Sequence, residues 1–156
     1  MARDPTRIRH FESIVEQLPE RLAELQAAGR CPRKAHPPIP KAPGVYLFSE
    51  NGVPVYVGQT RNLRTRIATH DRPSAGHNTA SFAFNIAKHD AGRVPNDLNR
   101  DEIELLIEPL FTRAKERVAD MDVQFILMDD PIERTVFEVY AALHRGTEEY
   151  NSFETH

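Results

Sequence analysis

Two periodicities of apolar and polar positions run along this chain, and each predicts a type of element. Between residues 10 and 27 the apolar side chains recur every three or four positions, the spacing of one helix face, although Pro19 is expected to kink or split that helix. Residues 44–58 are rich in strand formers on both sides of Asn51-Gly52, which predicts a β-hairpin. Further on, the patterns predict helices over 61–70, 79–89 and 99–119, a strand over 121–128, and a last helix from Pro131 to about Gly146.

The order of these elements predicts an α/β fold. We expect a small three-stranded antiparallel sheet, flanked by helices and preceded by an N-terminal helical arm. Residues 31–43 hold five prolines and predict a stiff, extended linker between the arm and the sheet. We therefore predict two parts: an N-terminal helix with its proline-rich linker at 1–43, and a domain at 44–156 with a helical insertion at about 71–120.

The length of the hairpin loop decides where Tyr46 and Tyr56 point. With a two-residue loop at Asn51-Gly52, Tyr46 pairs with Val57, and the two tyrosines lie on opposite faces of the sheet. With a three-residue loop and a bulge at the glycine, Tyr46 pairs directly with Tyr56 and both rings share one face. We favour the bulged loop, because it leaves the other face to aliphatic residues, namely Val45, Leu47, Val53, Val55 and Val57. The proline in the second hairpin strand has no N–H for a ladder, so that strand is expected at the sheet edge and the third strand beside the first.

Composition excludes some classes of protein. A single cysteine rules out an intramolecular disulfide and favours a reducing cytoplasm. No apolar run is long enough for a membrane span, and the N-terminus lacks the apolar stretch of a secretory signal. The seven histidines have no cysteine partners and no helical zinc spacing, so a structural zinc site is not expected. We therefore predict a cytoplasmic protein without membrane association.

Charge is distributed unevenly, although the net charge is only −3. Residues 28–72 contain eight lysines and arginines against two acids, and the rest of the chain is correspondingly acidic. A basic segment of this kind is typical of proteins that bind nucleic-acid phosphates. Solvated faces that differ by chance are the alternative, and charge alone does not separate the two interpretations.

The hairpin contains two related tripeptides. Gly44-Val45-Tyr46 and Tyr56-Val57-Gly58 are separated by nine residues, and further polar residues follow on the predicted elements. These residues are Gln59, Arg61, Arg66, His70, Glu138, Tyr150 and Asn151. In this order they resemble the GIY-YIG nuclease superfamily, over a span from Gly44 to Phe153. Valine replaces both central isoleucines, glutamine stands at position 59 where repair-type members often have lysine, and the segment 71–120 is longer than in compact members.

The resemblance implies both a reaction and a set of residues that perform it. It implies a metal-dependent endonuclease that hydrolyses DNA phosphodiester bonds with an activated water, using Mg²⁺ or Mn²⁺ and no small-molecule cofactor, as a monomer or homodimer. The implied residues are Tyr46 and Tyr56 at the nucleophile, Arg66 and His70 at the phosphate, Glu138 at the metal, and Asn151 at a phosphate or a neighbouring loop. Two other functions stay open: a catalytically inactive nucleic-acid-binding module of the same fold, and a nuclease that acts on RNA or branched DNA.

Each of these residues also has an ordinary structural interpretation. The tyrosines could be strand aromatics, Arg66 a solvated helix charge and His70 part of the surface packing. Asn151 could cap the exit of a helix. Glu138 lies opposite the apolar stripe of its predicted helix, where a glutamate is normally solvated. That stripe consists of Ile132, Val136, Val139 and Leu143.

Contacts with nucleic acid are expected outside the catalytic residues as well. The basic segment is expected to follow phosphates, since backbone binding needs only cations, and the start of the insertion to approach a groove. The expected contacts are Gln59 and Arg61 beside the hairpin, Arg33, Lys34 and Lys41 in the basic segment, and His77 and Asn78 in the insertion. Plain packing is the alternative for the insertion, with Phe82, Phe84 and Ile86 filling a second small core.

Overall fold

The computed structural model describes residues 2–92, 95–151 and 153. Every element predicted from the pattern is present there, and α1 is longer than expected because it begins at Pro5. The helices are α1 (Pro5–Ala27), α2 (Leu63–Asp71), α3 (Ser81–Ala91), α4 (Arg100–Ala119) and α5 (Pro131–Arg145). The strands are β1 (Cys31–Pro32), β2 (Gly44–Glu50), β3 (Val53–Thr60) and β4 (Asp122–Leu127). None of the described helices is both long enough and apolar enough to cross a membrane.

The sheet is antiparallel, with the strand order β1-β4-β2-β3. The predicted three-stranded sheet is confirmed in β4, β2 and β3, with the third strand beside the first and the proline-containing strand at the edge. The prediction of an uninterrupted extended linker is wrong at its start. Cys31–Pro32 pair with β4 as a fourth strand, and Arg33–Ala35 form a 3₁₀ turn. Backbone hydrogen bonds to the edge of an existing sheet satisfy polar groups that an isolated linker would leave to water.

The hairpin loop differs from the predicted one. Glu50 pairs with Val53, so the loop has two residues, and both Asn51 and Gly52 have positive φ. The predicted three-residue loop, in which Tyr46 faces Tyr56, is therefore wrong. A bulge lies further along instead, where the register shifts between Phe48 and Ser49 and leaves the residue after Pro54 unpaired. The extra residue moves the register by one, so that Tyr46 pairs with Gly58 and Phe48 with Tyr56, and both tyrosines still share one face.

Helices cover both faces of the sheet. On one face, α2, α3 and α4 pack over Tyr46 and Phe48 in one hydrophobic cluster. Residues 82, 84 and 86 of the insertion belong to this same cluster, so they do not form a second core. On the other face, α1 and α5 pack over Val45, Leu47 and Val57. Val55 packs on the tyrosine side, contrary to the face predicted for it, because the bulge reverses the alternation there.

The N-terminal helix α1 is part of this second layer. It continues through Pro19 and buries Ile14, Leu18, Leu22 and Leu25. The side chain of Gln124 on β4 donates to three carbonyls at the C-terminal end of α1, including that of Ala28 at 2.9 Å. These bonds satisfy carbonyls that a helix end leaves without partners. The boundary predicted at residue 43 stays a prediction, but α1 shares a core with the sheet.

Candidate active site

Tyr46 and His70 form a buried pair at the centre of the helix-covered face. Neither side chain is exposed, and the Tyr46 hydroxyl lies 2.6 Å from His70 Nε2. His70 reaches the sheet because α2 starts at Asn62, whose side chain caps the helix, and turns residues 63, 67 and 70 inward. The other ring nitrogen, His70 Nδ1, is buried without a hydrogen-bond partner among the described residues.

The glycines of the two tripeptides stand where the backbone must come close to other groups. A Cβ at Gly58 would overlap the phenol ring of Tyr46, which lies across from it on β2. A Cβ at Gly44 would overlap the carbonyl of Ile126 and the side chain of Leu63. Close approach therefore explains both glycines, neither of which has a positive φ.

Tyr56 forms a wall of the same site. Its ring lies 6.3 Å from that of Tyr46 and 5.6 Å from that of His70, measured between centroids. It stacks on Phe82 of α3 at 4.3 Å with an interplanar angle of 11°. The insertion thus supplies the aromatic residue that fixes Tyr56, a contact that the sequence pattern did not reveal.

Arg66 lies on α2 beside both tyrosines and connects them to the insertion. Its guanidinium donates to the carbonyl of Thr79 at 2.7 Å and to the hydroxyl of Ser81 at 3.1 Å. A guanidinium has five N–H donors, so these two contacts leave donors for a phosphate. The start of α3 therefore determines where the Arg66 charge points.

The pKa values of the buried pair keep both groups neutral. Burial raises the pKa of Tyr46 well above its ordinary value, and the positive charge of Arg66 only partly offsets this. Burial also lowers the pKa of His70 well below its ordinary value, and the charges of Arg66 and Arg33 lower it further. The proton between them accordingly stays on the phenol, which donates to a neutral imidazole.

Glu138 is half-buried on the side of α5 next to Gln59 of β3. The residues that α5 buries are Arg134, Phe137, Ala141 and Ala142, whereas Ile132, Val139 and Leu143 of the predicted apolar stripe are exposed. Most of the predicted apolar stripe therefore lies on the exposed side of α5. Burial raises the pKa of Glu138 to about 7, against the lowering effects of a hydrogen bond from the Gln59 backbone N–H and of the Arg66 charge. The charge of Glu138 in turn raises the pKa of both Tyr46 and Tyr56.

The helix layers on the two faces of the sheet come together at the free edge of β3. The Val57 N–H donates to Asn151 Oδ1 at 2.9 Å, and the Val57 carbonyl accepts from Asn151 Nδ2 at 2.7 Å. The Gln59 N–H, two residues further along the same edge, lies close enough to Glu138 to lower the pKa of its carboxyl. Asn151 thus occupies edge groups that would otherwise be unpaired, and it holds the strand that contains Tyr56.

Arg134 was missed by the sequence analysis. It is 5% exposed and donates to the carbonyls of Met128 and Asp129 and, at 3.3 Å, to Gln59 Oε1. One turn before Glu138, it ties the start of α5 to the end of β3. A buried arginine with three acceptors has no sequence signature, because its partners come from distant elements.

Part of this arrangement matches a known protein family. Residues 42–105 match the model of the GIY-YIG catalytic domain. Over these residues the chain is similar to the GIY-YIG catalytic domain. The resemblance seen in the two tripeptides is thereby confirmed, and the matched range includes Tyr46, Tyr56, Arg66 and His70, whereas Glu138 and Asn151 lie beyond it.

Known proteins with similar sequences are described as UvrABC system protein C. The protein of Deinococcus radiodurans is 44% identical over 46 residues, which is 30% of this chain and 7% of that protein. The protein of Petrotoga mobilis is 48% identical over 33 residues, 20% of this chain and 6% of that protein. The chain therefore matches only a small part of these relatives.

Solved structures with a similar arrangement are two point mutants of the GIY-YIG N-terminal endonuclease domain of UvrC from Thermotoga maritima, each bound to a catalytic divalent cation. They are 21% and 20% identical to this chain, and each match covers 77% of this chain and 93% of that domain, with a TM-score of 0.44.

The residues predicted to contact nucleic acid differ in how far their side chains are exposed and paired. Lys41, Arg61 and Asn78 are exposed, and so is Lys34, which forms an ion pair with Asp120. In contrast, Arg33 is 8% exposed and paired with Asp71, and the buried ring of His77 is bonded to Glu104. Gln59 accepts from Arg134. The predicted contacts with nucleic acid stay predictions, and Arg33 and His77 are both already paired within the protein.

Proposed function

We propose that this protein is a metal-dependent endonuclease that hydrolyses phosphodiester bonds in DNA. The observation that supports this best is the buried hydrogen bond between the Tyr46 hydroxyl and His70, beside Tyr56 and within the field of Arg66 and Glu138. A core needs no such polar pair, since burying a phenol and an imidazole away from water costs free energy that apolar side chains would not. The arrangement suits the transfer of a proton next to a phosphate.

Tyr46 is the group that receives or directs the proton of the attacking water. A phenol whose pKa is raised is a poor base by itself. His70 Nε2 is already placed to accept the phenol proton, and positive charge nearby favours the phenolate. Because His70 Nδ1 has no acceptor among the described residues, the imidazolium is disfavoured. Once the bond is cleaved, the water proton that Tyr46 has taken passes to the oxygen that leaves the phosphorus, and His70 returns the phenol proton to Tyr46.

Arg66 binds the scissile phosphate in this proposal. Its guanidinium is oriented by Thr79 and Ser81, so it need not reorganise as charge develops on the phosphate oxygens. Tyr56, held by its stack on Phe82, lies beside Tyr46 and Arg66 and directs the water or a phosphate oxygen. Pre-positioned donors of this kind accelerate a reaction more than mobile ones.

Glu138 is the residue that fits a divalent cation. Its carboxylate is partly buried, and the raised pKa shows that the protein supplies too little positive charge to compensate its ionised form. A hard cation such as Mg²⁺ or Mn²⁺ would compensate it and is commonly held by one or two carboxylates together with water and phosphate. When bound, such an ion would neutralise charge on the phosphate and lower the pKa of a water.

The exposed basic residues near α2 suit a nucleic-acid backbone. The N–H groups of Leu63 and Arg64 donate to the carbonyls of Ala42 and Pro40 at 2.9 and 3.2 Å. These bonds hold the segment that contains Lys41 at the first turn of α2, and Arg61 lies two residues before that helix. We propose that both side chains contact phosphates on either side of the cleaved bond, where cations bind without regard to sequence.

A cleavage assay tests the proposal. Supercoiled plasmid, linear duplex, branched DNA and RNA are incubated with the protein in Mg²⁺, in Mn²⁺ or in EDTA. We expect nicking of duplex DNA with either metal, none in EDTA, and none by Glu138→Gln, whereas Glu116→Gln, which removes an exposed acid on α4, leaves the rate unchanged. Binding without cleavage under every condition would instead identify a nucleic-acid-binding module, and cleavage of RNA or branched DNA alone would replace the proposed substrate.

A further inference from the structure

A second cluster of metal-binding side chains lies in the insertion, outside the tyrosine site. It consists of His77 in the loop before α3, and of Asp101 and Glu104 in the first turns of α4. One ligand atom from each residue lies within 4.8 Å of those of the other two. No role in the proposed cleavage requires this cluster, so it can be considered independently.

The two nitrogens of the His77 ring face different carboxylates. Nδ1 is bonded to Glu104, and the His77 backbone N–H donates to the same carboxylate at 3.3 Å. Nε2 faces Asp101 Oδ1 at 3.7 Å, which is too far for a hydrogen bond, and it has no other such partner among the described residues. The His77 side chain is only 8% exposed, whereas that of Asp101 is 88% exposed. A nearly buried imidazole thus directs an unpaired nitrogen at a free carboxylate.

This is the arrangement that prepares a histidine to bind a metal. A carboxylate on Nδ1 keeps the proton there, orients the ring and leaves the lone pair of Nε2 available. We propose that His77 Nε2 and Asp101 bind a divalent transition-metal ion of the Zn²⁺ or Mn²⁺ class, with Glu104 holding the imidazole in place. Imidazole and carboxylate ligands together suit ions of this class.

The surroundings leave room for the rest of a coordination shell. A groove of about 510 Å³ opens beside the cluster between residues 73–76 and α4, and both Asp101 and Glu104 line it. Waters in this groove can complete the shell of an ion that has two protein ligands. Sequence spacing gave no sign of such a site, since the ligands come from a loop and from a helix that begins more than twenty residues later.

The ion would anchor the loop that positions Arg66. Thr79, two residues after His77, accepts from the Arg66 guanidinium at 2.7 Å. At its other side the same loop is held by Lys115, which donates to the carbonyls of Pro73 and Ala75 at 2.8 and 3.0 Å. An ion bound by His77 and Asp101 would add a link between this loop and α4, and it would stabilise the folded protein by binding that state alone.

Calorimetric titration with Zn²⁺ tests the site in the full chain. The background carries Glu138→Gln and Cys31→Ser, so that neither the proposed catalytic ligand nor the single thiol binds the added ion. We expect one Zn²⁺ per chain, with binding at least about tenfold weaker in Asp101→Asn and about 10–100-fold weaker in Glu104→Gln. The matched control is Glu116→Gln on the same helix, whose binding should equal that of the background.

A second measurement identifies the ligand atom. Zn²⁺ should shift the ¹⁵N resonance of His77 Nε2 and raise the melting temperature of the background protein but not that of Asp101→Asn. Asp101 is so exposed that its substitution leaves the fold intact, so the test does not depend on variants of the buried histidine. Zn²⁺ binding that is absent, equally tight in Asp101→Asn, or without effect on the His77 resonance would overturn the proposal. None of these outcomes affects the nuclease proposal, which depends on Glu138.

Discussion

We expect Glu138→Gln to raise the stability of the folded protein at alkaline pH, although the same substitution is expected to abolish cleavage. The carboxylate has a pKa of about 7 in the folded protein, against an ordinary value of 4.5, and burial is the largest cause. The folded state thus binds a proton more tightly than the unfolded state, and ionisation of Glu138 opposes folding. Stability is retained below pH 4.5 and decreases as the pH rises from 4.5 to about 7. A glutamine at position 138 still presents an oxygen to the Gln59 N–H, and because it cannot ionise it avoids this loss of stability.

The magnitude follows from the pKa difference. A rise from 4.5 to about 7 corresponds to about 3 kcal/mol at a pH above both values. Solvent screens part of this, because Glu138 is not fully buried. We therefore expect Glu138→Gln to be more stable than the wild-type protein by ~2 kcal/mol at about pH 8.5, and nearly equal to it at about pH 5.

Urea unfolding of both proteins, followed by circular dichroism in EDTA at these two pH values, measures the difference. Added Mn²⁺ should stabilise the wild-type protein and reduce the gap, since the ion compensates the ionised carboxylate. Glu116→Gln serves as the control for loss of an exposed acid, with no pH-dependent gain expected. If Glu138→Gln gives the same stability difference at both pH values, the carboxylate is solvated and our argument for a metal at this position fails.

Other substitutions test the remaining contacts. Tyr46→Phe should lower the free energy of unfolding in urea by ~1–2 kcal/mol, because it leaves the buried His70 Nε2 without its donor. The same variant should lose plasmid nicking and keep DNA binding. Unchanged nicking would refute the role of the phenol. Gly58→Ala should cost ~1–3 kcal/mol or more by the same measurement, since its Cβ overlaps the Tyr46 ring, whereas Gly29→Ala, with open space around the new Cβ, should cost far less. Neutralising Lys41 and Arg61 together should lower the slope of log binding constant against log salt by about 2, as measured by fluorescence anisotropy, and an unchanged slope would remove both from the phosphate contacts.

The sequence by itself determined the elements and most of the site. Alternation and turn residues located the hairpin, and α4 begins next to the predicted residue 99, where Asn99 and Glu102 form a capping box in the structure. The two tripeptides, Arg66 and His70 follow the order that resembles the GIY-YIG family, and the family model matches residues 42–105. These features are local, and they depend on backbone preferences and spacing that a few consecutive residues express.

Tertiary structure alone decided which side of α5 is buried and which register the hairpin adopts. Ile132, Val139 and Leu143 of the predicted apolar stripe are exposed, whereas Arg134 and Glu138 lie next to Gln59 of β3. The bulge after Pro54 places the two tyrosines on one face of the sheet. It shifts the register by one residue at a position outside the loop, where the sequence predicted no irregularity. Both decisions depend on pairing between segments far apart in the chain, and such pairing minimises unsatisfied buried polar groups in the whole molecule, a quantity that no local pattern expresses.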